Sequence, residues 1–196
     1  MSCKHRFYDD LIPAWEFDYL FIGTFNPEWD HPKGNDAKYF YGRYTNDFWH
    51  ILPKVFGDED LMSKEKRENK ELLISYLKSR RIALTDLVTE IKNVEKENEQ
   101  HFRDITGFKD KDLEKYELVF NDKIFDLLKE GLKGVFFTRG YESNTRIGRQ
   151  WKAIREKCEE RSIPCAELVT PSRGYRRNGY TREKKISEWK KSIFRP

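Results

Sequence analysis

The chain has 196 residues, of which 37% are hydrophobic, 37% charged and 15% aromatic, with a net charge of +4. This length fits one domain, 1–196, whose core relies on large rings, and the composition excludes a disordered chain. No apolar run is long enough to span a membrane and MSCKHRFYDD lacks an apolar signal core; three scattered cysteines without a CxxC pair give no support to a zinc ribbon or iron–sulfur cluster. A reducing, intracellular (cytoplasmic) setting fits, with no membrane partner. The positive charge is concentrated: residues 170–196 carry +7 and the rest −3. Such a segment suits a polyanion such as nucleic acid, and also the plainer reading of a solvated helix face.

Residues 17–25, FDYLFIGTF, read as a buried strand ended by Asn26-Pro27. A long loop, 28–45, follows, and a helix starts near Asn46, with Asn46 as its N-cap and Pro53 disturbing it. Residues 63–80 have a helical pattern, and 82–88, IALTDLV, are a short apolar run interrupted by Thr85-Asp86. Residues 90–112 read as a surface excursion and 113–130 as helix, in one or two pieces, stopped by Gly131. GVFFT (134–138) is a second buried strand, 143–161 a helix capped by Ser143 or Asn144, and IPCAELV (163–169) the last strand. Thr181 caps a final helix with Ile186, Trp189 and Ile193 on its apolar stripe. Strands alternating with helices predict a three-layer α/β/α sandwich with a central, mainly parallel sheet of about four strands. Ligands bind outside the carboxyl ends of such strands, which selects Thr24–Trp29, Thr138–Tyr141 and Thr170–Tyr175.

One stretch fits neither a plain strand nor a plain helix. In YFYGRYTNDFW (39–49) six of eleven residues are aromatic, interleaved with Arg43, Asn46 and Asp47. Together with FIGTFNP (21–27), RIALTDLV (81–88), GVFFTRG (134–140) and TPSRGYR (170–176), in that order, it resembles the uracil-DNA glycosylase superfamily. The likeness is to its mismatch-specific uracil and hypoxanthine-DNA glycosylase branches.

The resemblance implies a monomeric, monofunctional DNA glycosylase acting in base-excision repair. Such an enzyme flips a damaged or modified base out of DNA, duplex or single-stranded, and hydrolyses its N-glycosidic bond. It implies Asn26 and Asn46 as catalytic residues, since a carboxamide oxygen can hold the attacking water, and Asn26 is favoured for that task. It implies Gly23, Thr24, Phe25, Tyr41 and Phe40 as base-binding residues, with Tyr41 the foremost stacking ring. Ser172, Arg173, Tyr175, Arg176 and Arg139 are the implied DNA contacts: Arg173 and Arg176 on phosphates, Tyr175 as the wedge. No cofactor and no metal are implied. The first motif here is Gly-x-x-Asn-Pro where the mismatch-specific branch has Gly-x-Asn-Pro, and TPSRGYR lacks the histidine of the strongest uracil enzymes.

Plainer readings stand beside these: Asn26 as a turn residue, Asn46 as a helix cap, the 170–176 segment as a basic surface turn. Asp86 is read as a satisfied cap or as a group behind the pocket. His31, Asp30 and Asp36 have no metal-ligand spacing and read as a solvated loop, and neither Lys33 nor Lys38 is marked as a Schiff-base nucleophile. A catalytically inactive nucleic-acid-binding module of the same fold is the alternative function. Uracil, hypoxanthine, xanthine and a modified pyrimidine all remain open as the excised base.

Overall fold

The computed structural model describes residues 1–31, 37–107, 109–140, 142–174 and 179–194. The expectations placed on Lys33, Asp36, Tyr175 and Arg176 lie outside the described residues.

The described strands are β1 (Ser2–Lys4), β2 (Tyr19–Gly23), β3 (Ile82–Asp86), β4 (Val88–Lys92), β5 (Glu117–Phe120), β6 (Gly134–Phe137) and β7 (Cys165–Glu167). The described helices are α1 (Phe48–Val55), α2 (Lys64–Glu68), α3 (Lys70–Ser79), α4 (Glu99–Thr106), α5 (Asp110–Leu113), α6 (Ile124–Leu127), α7 (Arg146–Glu160) and α8 (Arg182–Ile193). Four strands form a sheet in the order β3-β2-β6-β7, every neighbouring pair parallel. Helices flank both faces, as the alternation of apolar runs and amphipathic stretches predicts.

The two faces follow from side-chain alternation along each strand. Phe21, Ile82, Leu84 and Phe136 turn to a cluster shared with Phe48, Trp49 and Leu52 of α1, Leu73 and Leu77 of α3, and Trp189 and Ile193 of α8. Leu20, Ile22, Ala83, Val135 and Phe137 turn to the other cluster, with Ile147, Trp151 and Ile154 of α7 and Ile124 and Leu127 of α6. Three indoles, Trp49, Trp151 and Trp189, are fully buried. Burying each contributes several kcal/mol, roughly 25 cal/mol per Å² of apolar surface. Thr181 caps α8 by accepting the Lys184 N–H, as expected, and the hydroxyl of Thr145, rather than Ser143 or Asn144, caps α7.

Several expectations are corrected. Residues 113–130 are helical neither as one stretch nor as two pieces broken at Asn121-Asp122: Glu117–Phe120 is strand β5 between the short α5 and α6. It pairs antiparallel with β4, which pairs antiparallel with β1, in a second three-stranded sheet that was not expected, and the 90–112 stretch read as a surface excursion carries the end of β4, then α4 and the start of α5. Tertiary burial decides here, since Val88, Ile91, Leu118 and Cys3 join the same core cluster as α7. The 63–80 stretch is broken at Asn69, whose side chain accepts the Leu72 N–H and starts α3 anew. Helix α1 begins at Phe48 and holds Pro53 inside it, ending two residues later.

Parallel strands bring their carboxyl ends to one edge. Gly23 lies opposite Asp86 in the β2–β3 register, and Ile22 opposite Phe137 of β6. The segments that follow, from Thr24, Leu87, Thr138 and Leu168, therefore converge there.

Candidate active site

That edge opens into a cleft of about 1280 Å³. Gly23, Thr24, Phe25, Asn26, Tyr41, Asn46, Arg139 and Ser172 line it, so the structure brings together residues up to 149 positions apart. Among the residues singled out in the sequence, Phe40 is a correction. It has no exposure and packs between the rings of His5, Phe7 and Tyr39 at centroid distances of 5.1–5.6 Å. Its carbonyl accepts the Trp49 indole N–H. No face of it is left for a base.

Asp86 is at the floor. It is 1% exposed, and its Oδ2 accepts two hydrogen bonds, from His5 Nε2 at 2.8 Å and from Asn26 Nδ2 at 2.7 Å. The tautomer of His5 follows from its other nitrogen. Nδ1 accepts the Phe7 N–H at 3.0 Å, so Nε2 carries the proton given to Asp86. The ring is fully buried and lies against Phe7, Phe25 and Phe40. A carboxylate only accepts, so the Asn26 amide must present its nitrogen to Asp86 and leave its oxygen free. Among the described residues no donor meets that oxygen. The loop after Asn26 is pinned, since Arg6 donates to the carbonyls of Pro27 and Glu28 and to Asp30.

Asn46 is held the opposite way. Its Oδ1 accepts the Phe48 N–H at 2.9 Å, within one residue of the predicted capping role, and its NH₂ is the end left for the cleft. Its backbone bridges to Ser172, while the Asp47 N–H donates to the Pro171 carbonyl.

Tyr41 forms the wall. Its ring lies 4.0 Å from that of Phe48 at an interplanar angle of 9°. The Thr138 hydroxyl donates to the Ile22 carbonyl, so it accepts the Tyr41 hydroxyl proton at 2.9 Å. Burial, then the nearby Asp86 charge, holds the phenol well above its ordinary pKa, so it remains protonated. Tyr41 sits at φ 56°, a left-handed conformation unusual for an aromatic residue. Gly23 explains the close approach: a Cβ there would lie 2.6 Å from Tyr41 Oη and overlap Asp86 Oδ1.

A second carboxylate, Asp110, lines the far side. It accepts from the Thr24 hydroxyl at 2.8 Å and pairs with Arg139. Burial raises its pKa and the Arg139 charge opposes the rise. Arg139 thus enters the cleft wall, with its guanidinium paired to Asp110. Arg173 is likewise engaged: its Nε donates to the fully buried Asp47 at 2.9 Å, and its guanidinium lies 5.2 Å from the ring of the exposed Tyr44. It ties the 170–174 loop to the start of α1. Among the described residues the exposed cations on the cleft lining are Lys38, Lys64 and Lys109.

Sequence reasoning missed His5 and Asp110 and understated Asp86. Asp86 did carry a signal, a carboxylate inside an apolar run, which calls for a buried partner. His5 carried none, because only the pairing of β1 with β4 brings the N-terminal segment to the cleft.

No family model and no curated protein matches the sequence. Among solved structures, the solution NMR structure of a candidate uracil DNA glycosylase from Methanosarcina acetivorans matches with a TM-score of 0.54. The match covers 91% of this chain and 89% of that one at 18% identity. The two chains share a fold. It is the α/β fold that the order of the sequence motifs implies, and at this identity the likeness speaks to fold alone.

Proposed function

We propose that the chain is a monofunctional DNA glycosylase that extrudes an altered base into the cleft and hydrolyses its N-glycosidic bond. The observation that carries the reading is the pair of oppositely held asparagines. Asn26 offers an acceptor and Asn46 a donor to the same cleft. The reaction needs both. As the bond to the base breaks, the sugar becomes cation-like and the base takes up negative charge. Asn26 Oδ1 accepts a hydrogen bond from water and fixes it toward the sugar, and Asn46 Nδ2 donates to a carbonyl of the departing base. A cleft that holds both groups in place reduces the reorganisation needed at the transition state.

Tyr41, backed by Phe48, presents its remaining face and edge to the flipped base, with Thr24 and Phe25 closing the pocket around it. Lys38, Lys64 and Lys109 attract the phosphate backbone, and Ser172 meets the strand near the flipped nucleotide. The motifs resemble the mismatch-specific and hypoxanthine branches, and the Methanosarcina protein is named for uracil DNA glycosylase activity of the same class. DNA is the partner on this reading, and the enzyme acts as a monomer, inside the cell, without metal or cofactor.

The test is a panel of duplexes, each with one altered base (uracil, hypoxanthine, xanthine or a modified pyrimidine), incubated with the protein and then treated with alkali. Strand cleavage at one of these bases supports the reading. A protein that binds every duplex and cleaves none is a binding module instead.

A further inference from the structure

This inference rests on the glycosylase reading and concerns the oxygen of Asp86 that the His5 and Asn26 hydrogen bonds leave over. Both described donors reach Oδ2. No described group donates to Oδ1. Asp86 is 1% exposed and lines the cleft, so the little of it that is open faces the cleft. Oδ1 is not sealed off with the rest of the side chain, so water in the cleft can reach a carboxylate oxygen to which no described group donates. Position 23 adds an independent observation. Glycine there leaves the space above Oδ1 clear, whereas a Cβ would overlap that oxygen.

We propose that Asp86 is the general base of the hydrolysis. One water sits between Asn26 Oδ1 and Asp86 Oδ1, hydrogen-bonded to both. Its oxygen forms the new bond to the anomeric carbon as the carbon–nitrogen bond breaks, with that electron pair leaving on the base. One water proton passes to Asp86 Oδ1 and is later released, directly or through solvent, to the base anion. The products are the free base and an abasic sugar. His5 is a positioning residue: it holds Oδ2 and thereby the plane of the carboxylate. This division of labour explains why a carboxamide, a poor proton acceptor, can serve at position 26.

The test is single-turnover base release at saturating protein on a duplex that the wild type cleaves, with duplex affinity and melting measured for each variant. Asp86→Asn keeps the shape and removes the proton acceptor. The expected loss is on the order of 100-fold to 10,000-fold in rate with affinity nearly unchanged. Gly23→Ala keeps the carboxylate but covers Oδ1, and a comparable loss is expected. A folded Asp86→Asn protein releasing base at close to the wild-type rate overturns the proposal while leaving the glycosylase reading in place. If Asp86→Asn does not fold, Gly23→Ala decides, and a wild-type rate there overturns it equally. If the wild type releases no base from any duplex, the glycosylase reading itself fails and the assignment of Asp86 falls with it.

Discussion

Asp86 and Asp47 are both hidden from water, at 1% and 0% exposure, yet their surroundings differ. Asp47 Oδ1 accepts from Arg173 Nε at 2.9 Å and from Arg182 Nε and Nη2 at 3.0 and 2.9 Å. Among the described residues two guanidiniums answer this carboxylate, and the cluster joins the start of α1, the 170–174 loop and the start of α8. Lys185 adds to the junction, donating to the Ser172 carbonyl at 2.7 Å. Asp86 meets a histidine and a carboxamide through one oxygen and turns the other to the cleft. A buried charge opposed by paired cations serves the fold, because removing either side leaves the other stranded. One held on a single oxygen at the ends of parallel strands is poised for a ligand.

The contrast is broken most sharply by removing Asp47. Asp47→Ala strands the side chains of Arg173 and Arg182 and should cost roughly 3–5 kcal/mol of stability. Urea denaturation measures this, and the protein that remains folded should release base at close to the wild-type rate. Stability unchanged by the substitution would contradict the structural role.

Arg173→Ala removes one of the guanidiniums described on Asp47 and the contact with Tyr44. The expected loss is about 1–3 kcal/mol in stability. Thermal melting shows it, and a weakened DNA affinity with no change in melting would instead place Arg173 on a phosphate.

Asn46→Ala deletes the acceptor of the Phe48 N–H and should cost about 1 kcal/mol in stability. Its effect on single-turnover rate should be smaller than that of Asn26→Ala. The reverse order would exchange the roles of the two asparagines.

The smallest effect is expected at the rim. Lys109→Ala should weaken binding about equally for all duplex sequences and lower the slope of log affinity against log salt by about 1. An unchanged slope would remove Lys109 from the DNA interface.

The parallel sheet was legible because its central strands, YLFIG and GVFF, are continuous apolar runs, and α8 because Thr181 and the Ile186, Trp189, Ile193 stripe announce it. The antiparallel sheet was not. Glu117–Phe120 is four residues long and flanked by charge, and only burial against β4 makes it a strand. At the site, the strand-end rule selected the segments of Thr24, Asn26, Arg139 and Ser172, all of which line the cleft. It could not tell which way each carboxamide is held, since that depends on Asp86 and on the Phe48 N–H. The resemblance ranked Tyr41 ahead of Phe40, but the turn at Tyr41 that sends these adjacent rings to the cleft and to the core was not legible.

The central claim, that Asn26 holds the attacking water, is tested most directly by comparing single-turnover base release for the wild type and Asn26→Ala at saturating protein. The account predicts a rate lower by roughly 100-fold to 1000-fold in the variant, with duplex affinity retained, because the contact matters mainly in the transition state. Base release at the wild-type rate from Asn26→Ala would contradict it.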